Sequence, residues 1–168
     1  MKKDLFNDIK SRIADRVPEI KTFGLFNNQF NNEKNVNAFQ FPCVFLEFGN
    51  IGWLSQSKGI QQGETLIRLH IGFETYKTDN NSNRIDQSNS EIGFLDLVSK
   101  IHVAINGFDG EYFNPLLRVS EQQNTDHDNV LVWVAEYRTM ITDDGAETRY
   151  SKPLVKLDPP IDVNIDLI

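Results

Sequence analysis

The sequence contains a single cysteine, Cys43, and no apolar run long enough to cross a bilayer. One cysteine excludes an internal disulfide and a cysteine-based metal site. Cys43 lies in the apolar run FPCVFLEF, which favours a buried structural thiol over a nucleophile. The first residues, MKKDLFNDIKSRIADRV, lack the continuous apolar segment of a signal peptide because Asp4 and Asp8 interrupt it. We therefore expect a globular protein that folds in the cytoplasm and does not enter a membrane.

Positive charge is also scarce. The chain has 17 Lys and Arg against 24 Asp and Glu, a formal net charge of −7, and no run of basic residues. Duplex nucleic acid would repel such a molecule. The aromatic segments FGLF and FQFP have no basic residues interleaved with them, which favours core packing over base stacking.

The length of 168 residues suits one domain with a sizeable core. We expect a domain over residues 1–145, followed by an extended C-terminal arm over residues 146–168.

Apolar residues at helical spacing predict an amphipathic helix over residues 4–16 and a second one over residues 90–106, which Gly107 ends. The spacing in the second helix is carried by Ile92, Leu95, Val98, Ile101, His102 and Ile105. The segment EIKTFGLF predicts a short strand, and FPCVFLEFGNI predicts a central one, because it is apolar on both faces.

Two antiparallel strand pairs are predicted as well. The first is the hairpin WLSQSKGIQQGETLIRLHIGFETY, and the second joins LLRVSEQQN to VLVWVAEYRTMIT. In the hairpin, the face with Arg68, His70 and Glu74 is expected to be wet or to meet a partner. The order of elements predicts an α+β fold: an antiparallel sheet packed on one face by two helices, with an extended C-terminal arm.

No pattern of catalytic or metal-ligating residues is present. His70, His102 and His127 have no second histidine or cysteine at ligand spacing. Residues 79–83, DNNSN, open like a calcium loop but lack its later glycine and glutamate, and DHD at residues 126–128 lies in a polar turn. We therefore expect no enzyme activity, no metal and no cofactor.

Five segments occur in a recognisable order: LFNDIKSRIADRVPEIKTFGLF, FPCVFLEFGNIGW, TLIRLHIGFETY, SEIGFLDLVSKIHVAINGF and NPLLRVSEQQNTDHDNVLVWVAEYRTMITD. In this order the chain resembles the tail terminator (tail completion) proteins of long-tailed bacteriophages and prophages. The resemblance covers residues 4–142, and the order of the segments carries it.

The resemblance implies a structural virion protein of the tail or neck, made in the cytoplasm of a bacterial host. Such a protein assembles as a homo-oligomeric ring of six, caps the completed tube of tail tube protein and offers a joining surface to the head–tail connector protein. DNA passes through the ring transiently and without specific binding, and an acidic wall suits this passage because it does not hold phosphates.

Two other functions remain open. A different neck or head-completion connector protein would also be small, acidic and ring-forming. A small hydrolase or ligand-binding domain would assemble its pocket from residues distant in sequence.

The hairpin tip is a candidate contact with the tail tube or with an adjoining subunit, because polar, glycine-bearing tips on rigid strands commonly carry contacts. Its residues are Gln56, Ser57, Lys58, Gly59 and Gln61.

The arm is a candidate joint between subunits. Pro153, Pro159 and Pro160 exclude a helix, and ordering each residue costs roughly 1–2 kcal/mol of backbone entropy unless the arm docks. It could add to the sheet edge of a neighbour or fold back on its own sheet. The candidate contact residues are Leu154, Val155, Leu157, Ile161, Val163, Ile165 and Ile168.

Overall fold

A computed structural model describes residues 1–31, 38–56, 59–74, 87–126 and 130–145. Within these ranges the chain forms two α-helices, a short 3-10 helix at Gln29–Asn31 and six β-strands. The helices and strands occur in the order α1 (Lys2–Arg16), β1 (Thr22–Leu25), β2 (Cys43–Phe48), β3 (Gly52–Ser55), β4 (Gln61–Glu74), α2 (Gln87–Ile105), β5 (Leu117–Asn124) and β6 (Val130–Asp143). The predicted α+β class and both predicted helices are confirmed.

The strands form one sheet in the order β1-β2-β4-β6-β5, and β3 pairs with β4 beside β2. Its centre is the antiparallel pair of β4 and β6, which are matched over their full lengths. Strand β2 lies between β1 and β4, so its predicted central position is confirmed. The predicted hairpin is the antiparallel pair of β3 and β4.

One pairing differs from the predicted antiparallel sheet. β1 runs parallel to β2, whereas the other strand pairs are antiparallel. A parallel neighbour requires a crossover connection, because the chain must return to the end of the sheet where the first strand began. The 17 residues between Leu25 and Cys43 make this connection.

Both helices pack on one face of the sheet. α1 contributes Leu5, Ile9 and Ile13, which lie on one side of the helix at intervals of four residues and are buried. From the sheet, large buried side chains meet the helices in one continuous core: Leu46, Ile67, Leu69, Ile71, Tyr137 and Ile141. Burial of each such side chain contributes about 1.5–3 kcal/mol to stability.

The buried face of α2 differs in part from the predicted one. Val98, Ile101 and Ile105 are buried as expected, but Ile92 and Leu95 are exposed. The buried side of the helix is completed by other residues at the matching angles, namely Phe94, Leu97 and Ala104. Gly107 follows the helix with φ of +80°, a conformation that favours glycine, and confirms the predicted stop.

An aromatic cluster covers one end of the opposite sheet face. Phe26, Phe39 and Phe41, all from the β1–β2 connection, pack on a buried set formed by Phe30, Cys43, Phe45, Val130, Val132 and Val134. The predicted packing role of these aromatic segments is confirmed, as is the burial of Cys43. Burial raises the pKa of the Cys43 thiol to about 12.

Candidate functional site

The hairpin tip lies at the surface, at the end of the sheet where β6 also ends. Gln61 is matched with Ser55 on one side and with Asp143 on the other, and both Gln56 and Gln61 are exposed. The Gln56 backbone N–H donates to the carbonyl oxygen of Ile60 at 2.9 Å and narrows the turn. Gly59 has φ of +85°, which a side chain would strain. Ser57 and Lys58, the other two predicted contact residues, lie outside the described residues.

Strand β6, which precedes the predicted arm in sequence, ends next to this tip. The described chain ends at Gly145, so the predicted arm contacts lie outside the described residues: Leu154, Val155, Leu157, Ile161, Val163, Ile165 and Ile168. Near the end of β6, the Thr142 N–H donates to the carbonyl oxygen of Tyr112 at 2.8 Å. The carboxylates of Glu111, Asp144 and Asp4 raise the pKa of the Tyr112 phenol. Asp144, near the end of the described chain, and Asp4, in the first turn of α1, therefore both lie near the Tyr112 side chain.

Strand β5 forms one edge of the sheet and has no partner on its outer side among the described residues. Its Leu117 and Val119 side chains are 50% and 45% exposed. The pairing with β6 shifts register between Arg118 and Ser120, so Val119 forms an irregularity in the strand. Such a bulge interrupts the backbone pattern that another strand would need for pairing.

A charged row crosses four strands on the sheet face opposite the helices. Arg68 Nε donates to Glu136 Oε1 at 2.5 Å, and Arg68 Nη1 donates to Glu47 Oε1 at 3.2 Å. Ser120 Oγ donates to the second oxygen of Glu136 at 2.5 Å. The hydrogen bond from Arg68, followed by that from Ser120, lowers the pKa of Glu136, and the hydrogen bond to Glu136 raises the pKa of Arg68. The partners keep one another ionised and fixed in position.

His70 joins this row to the aromatic cluster. Its Nε2 lies 2.8 Å from Glu47 Oε2, and its ring stacks on Phe26, which leaves the residue only 8% exposed. The expectation that the His70 side of β4 is wet or meets a partner is wrong at this position, because the β1–β2 connection covers it. Burial lowers the pKa of His70, although Glu47 opposes the shift.

The row does not bring a serine hydroxyl and a histidine ring together. The Ser120 hydroxyl donates to Glu136, while His70 pairs with Glu47. His102 lies on α2, near the Tyr137 hydroxyl, and therefore on the other side of the sheet. His127, residues 79–83 and most of DHD lie outside the described residues. Among the residues that are described, no three potential metal ligands come together, and no helix is long and apolar enough to span a membrane.

A groove of about 480 Å³ runs between α1 and α2, lined by Arg12, Arg16, Asp96, Ser99, Lys100, Val103 and Ala104. Arg12 is held in place, because its Nε donates to the Ala104 carbonyl oxygen at 3.0 Å and its guanidinium lies 5.1 Å from the centre of the Phe108 ring. Lys100 pairs with Glu19, which lies in the connection after α1. The groove is basic although the chain as a whole is acidic.

Sequence reasoning missed both the charged row and the basic groove. A signal for the groove is present, since Arg12 and Arg16 stand four residues apart and therefore on one side of α1. Lys100 joins them only through the packing of the two helices. For the row, Glu47, Arg68 and Glu136 interrupt apolar strands, but their pairing depends on register across three strands.

No family model matches the chain, and no curated protein sequence matches it. Among solved structures, the fold is similar to a chain from a structure titled "Virion of native gene transfer agent (GTA) particle". The TM-score is 0.46 and the sequence identity is 7%, over 80% of this chain and 92% of that chain.

Proposed function

We propose that this protein is a structural virion subunit that caps the completed tail tube as a ring of six and offers a joining surface to the head connector. The order of segments that resembles tail terminator proteins supports this proposal, together with the α+β fold. The main observation behind it is that the exposed Gln56 and Gln61 of the hairpin tip lie at the same end of the sheet as the end of β6, where Gln61 lies opposite Asp143.

A ring needs two different surfaces on each subunit, because each copy meets the next head to tail. The arm over residues 146–168 is the proposed first surface. It reaches a neighbour and holds it through the seven apolar residues named above. The tip, from Gln56 to Gln61, is the proposed contact with the tail tube or with an adjoining subunit. In this arrangement one end of the subunit carries both contacts.

The proposed role needs no chemistry from the chain. The acid–base groups of the charged row are committed to one another, as Glu136 is to Arg68 and Glu47 is to His70. The net charge of −7 suits a wall past which DNA slides without being held.

The proposal is tested by adding purified full-length protein to uncapped tail tubes of the particle encoded with this chain, followed by imaging of the tube ends. We expect a six-fold ring at one end of each tube. A chain that ends at Asp144, checked for its fold by circular dichroism, should cap far fewer tubes.

Equal capping by the two chains would remove the arm from the mechanism. Binding to DNA-filled heads, with tube ends left bare, would identify a head-completion protein instead. A monomer that leaves both structures bare and binds a small molecule would contradict a structural role.

A further inference from the structure

We propose that the basic groove between α1 and α2 is the docking site for residues 157–168 of this chain. The inference rests on the proposed function only for the donor, which in a ring is the neighbouring subunit. The receiving surface follows from the charge, apolar exposure and geometry of the groove.

The charge of the groove is opposite to that of the chain. Arg12, Arg16 and Lys100 line it against one carboxylate, Asp96, in a protein whose net charge is −7. Contacts with Ala104 and Phe108 fix the Arg12 guanidinium, so little side-chain entropy remains to be lost when an anion binds. Arg16 is exposed and makes no ion pair within the described part of the chain. The groove therefore offers at least one uncompensated positive charge.

An apolar stripe continues from the groove along the outer side of α2. Val103, on the groove wall, is 78% exposed, and Ile92 and Leu95 are exposed on the same side of the helix. At 100° per residue these three positions lie opposite the buried face that is centred on Ile101. An occupant that matches this surface must combine negative charge with branched apolar side chains.

The last twelve residues, LDPPIDVNIDLI, have this composition. Asp158, Asp162 and Asp166 are their charged residues, and no lysine or arginine accompanies them. The other side chains are mostly branched and apolar: Leu157, Ile161, Val163, Ile165, Leu167 and Ile168. Carboxylates would pair with the groove cations while apolar side chains cover Val103 and its neighbours.

The edge of β5 fits this segment less well. Strand addition uses regular backbone N–H and C=O groups on both partners, but Pro159 and Pro160 lack the N–H and the register of β5 shifts at Val119. The charged side chains of β5 also pair with each other, Arg118 with Glu121 at 2.8 Å. A groove that binds side chains tolerates two prolines, because it does not depend on a backbone ladder.

The chain is long enough for this docking. The described chain ends at Gly145, near the beginning of α1, and the eleven residues 146–156 can span up to about 36 Å. Along α1, the distance from Asp4 to Arg16 is about 18 Å. Residues 157–168 can therefore reach the groove of the same subunit or that of an adjacent one.

A pair of engineered cysteines in the full-length protein tests the contact. Val103→Cys is placed in the groove and Ile165→Cys in the arm, and the rate of disulfide formation is measured on non-reducing gels. Native Cys43 is fully buried, so the unsubstituted chain is a background control. The matched control pairs Ile165→Cys with Leu117→Cys on the edge of β5, which is exposed as well.

We expect the groove pair to form its disulfide at least about fivefold faster than the β5 pair, since close charge pairs and apolar cover favour the groove. Adding Arg16→Glu should lower the rate of disulfide formation in the groove pair by about fivefold. The rate for the β5 pair should stay the same. Equal rates for the two pairs, a faster β5 pair, or no effect of Arg16→Glu would each overturn the docking site.

The connectivity of the disulfide separates this inference from the proposed function. A bond between chains supports both the groove and the joining role of the arm. A bond within one chain supports the groove and removes the arm from subunit joining. Normal capping of tubes without a preferred groove disulfide would leave the proposed function in place and reject the docking site.

Discussion

His70 and Phe26 lie face to face, with ring centroids 3.6 Å apart and planes only 2° from parallel. The contact links the β1–β2 connection to the central strand β4 on the sheet face that the helices leave open. The stacked ring also separates one face of the imidazole from water. At the ring edge, Nε2 lies 2.8 Å from Glu47 Oε2. The ionisation of His70 therefore reports whether the β1–β2 connection is in place.

Phe26→Ala should raise the pKa of His70 toward its ordinary value of 6.5, because removal of the stacked ring readmits water to the imidazole. An NMR titration of the histidine ring protons measures the change. Phe23→Ala is the matched control, since Phe23 pairs with Phe6, 5.2 Å away and remote from His70. If Phe26→Ala left the titration unaltered, burial by the stacked ring would not be the cause of the shift.

The free energy of unfolding should decrease as the pH is lowered below about 6.5. A histidine whose pKa is lowered on folding binds its proton more tightly in the unfolded chain, so protonation favours unfolding as the pH drops from 6.5 through the folded pKa. The slope from one such group is at most about 1.4 kcal/mol per pH unit. His70→Gln should flatten the curve of unfolding free energy against pH, measured by urea denaturation. An unchanged slope would assign the dependence elsewhere, for example to His102, whose pKa burial also lowers.

Gly72→Ala and Gly93→Ala should change stability in opposite directions. A Cβ at position 72 would lie 2.6 Å from Phe30 and 2.8 Å from the Cys43 sulfur, whereas at position 93 nothing lies within 4 Å. Gly72→Ala should lower the free energy of unfolding by about 1–3 kcal/mol, because the added methyl group overpacks the cluster. Gly93→Ala should raise the free energy of unfolding by about 0.5–1 kcal/mol, because alanine favours the helix more than glycine does. Chemical denaturation checks both, and equal effects would contradict the packing described for the aromatic cluster.

Replacement of Gln56, Lys58 and Gln61 together by alanine should reduce the fraction of capped tail tubes at least about tenfold, since a few contacts carry most of the binding energy of an interface. Counting tube ends in electron micrographs gives the measurement. Gln122→Ala with Gln123→Ala provides the control, because these glutamines are exposed on β5, away from the tip. Equal capping by the two variants would show that the tip is an idle loop.

Local periodicity predicted the elements of this fold well. Leu5, Ile9 and Ile13 specify one buried side of α1, and a helix with that pattern has few alternatives. The parallel pairing of β1 with β2 was not predictable in the same way. It depends on where the β1–β2 connection returns, and alternation within β1 looks the same for either direction of its neighbour.

The surfaces were harder to predict than the core. Arg12 and Lys100 are far apart in sequence, and only the packing of α1 against α2 places them in one groove. The exposure of Ile92 likewise follows from the rotation of α2 about its axis, which the sheet below it sets. A hydrophobic residue at a plausible spacing does not reveal which side of a wide apolar helix faces outward.

The long pairing of β4 with β6 also constrains when the protein can fold during synthesis. β4 ends at Glu74, but the strand that completes its backbone hydrogen bonds begins only at Val130. Until the ribosome has released that last strand, β4 lacks the neighbour that pairs with it over its full length. The nascent chain therefore carries an incomplete sheet for most of its translation, and its final structure forms only when nearly the whole domain has emerged.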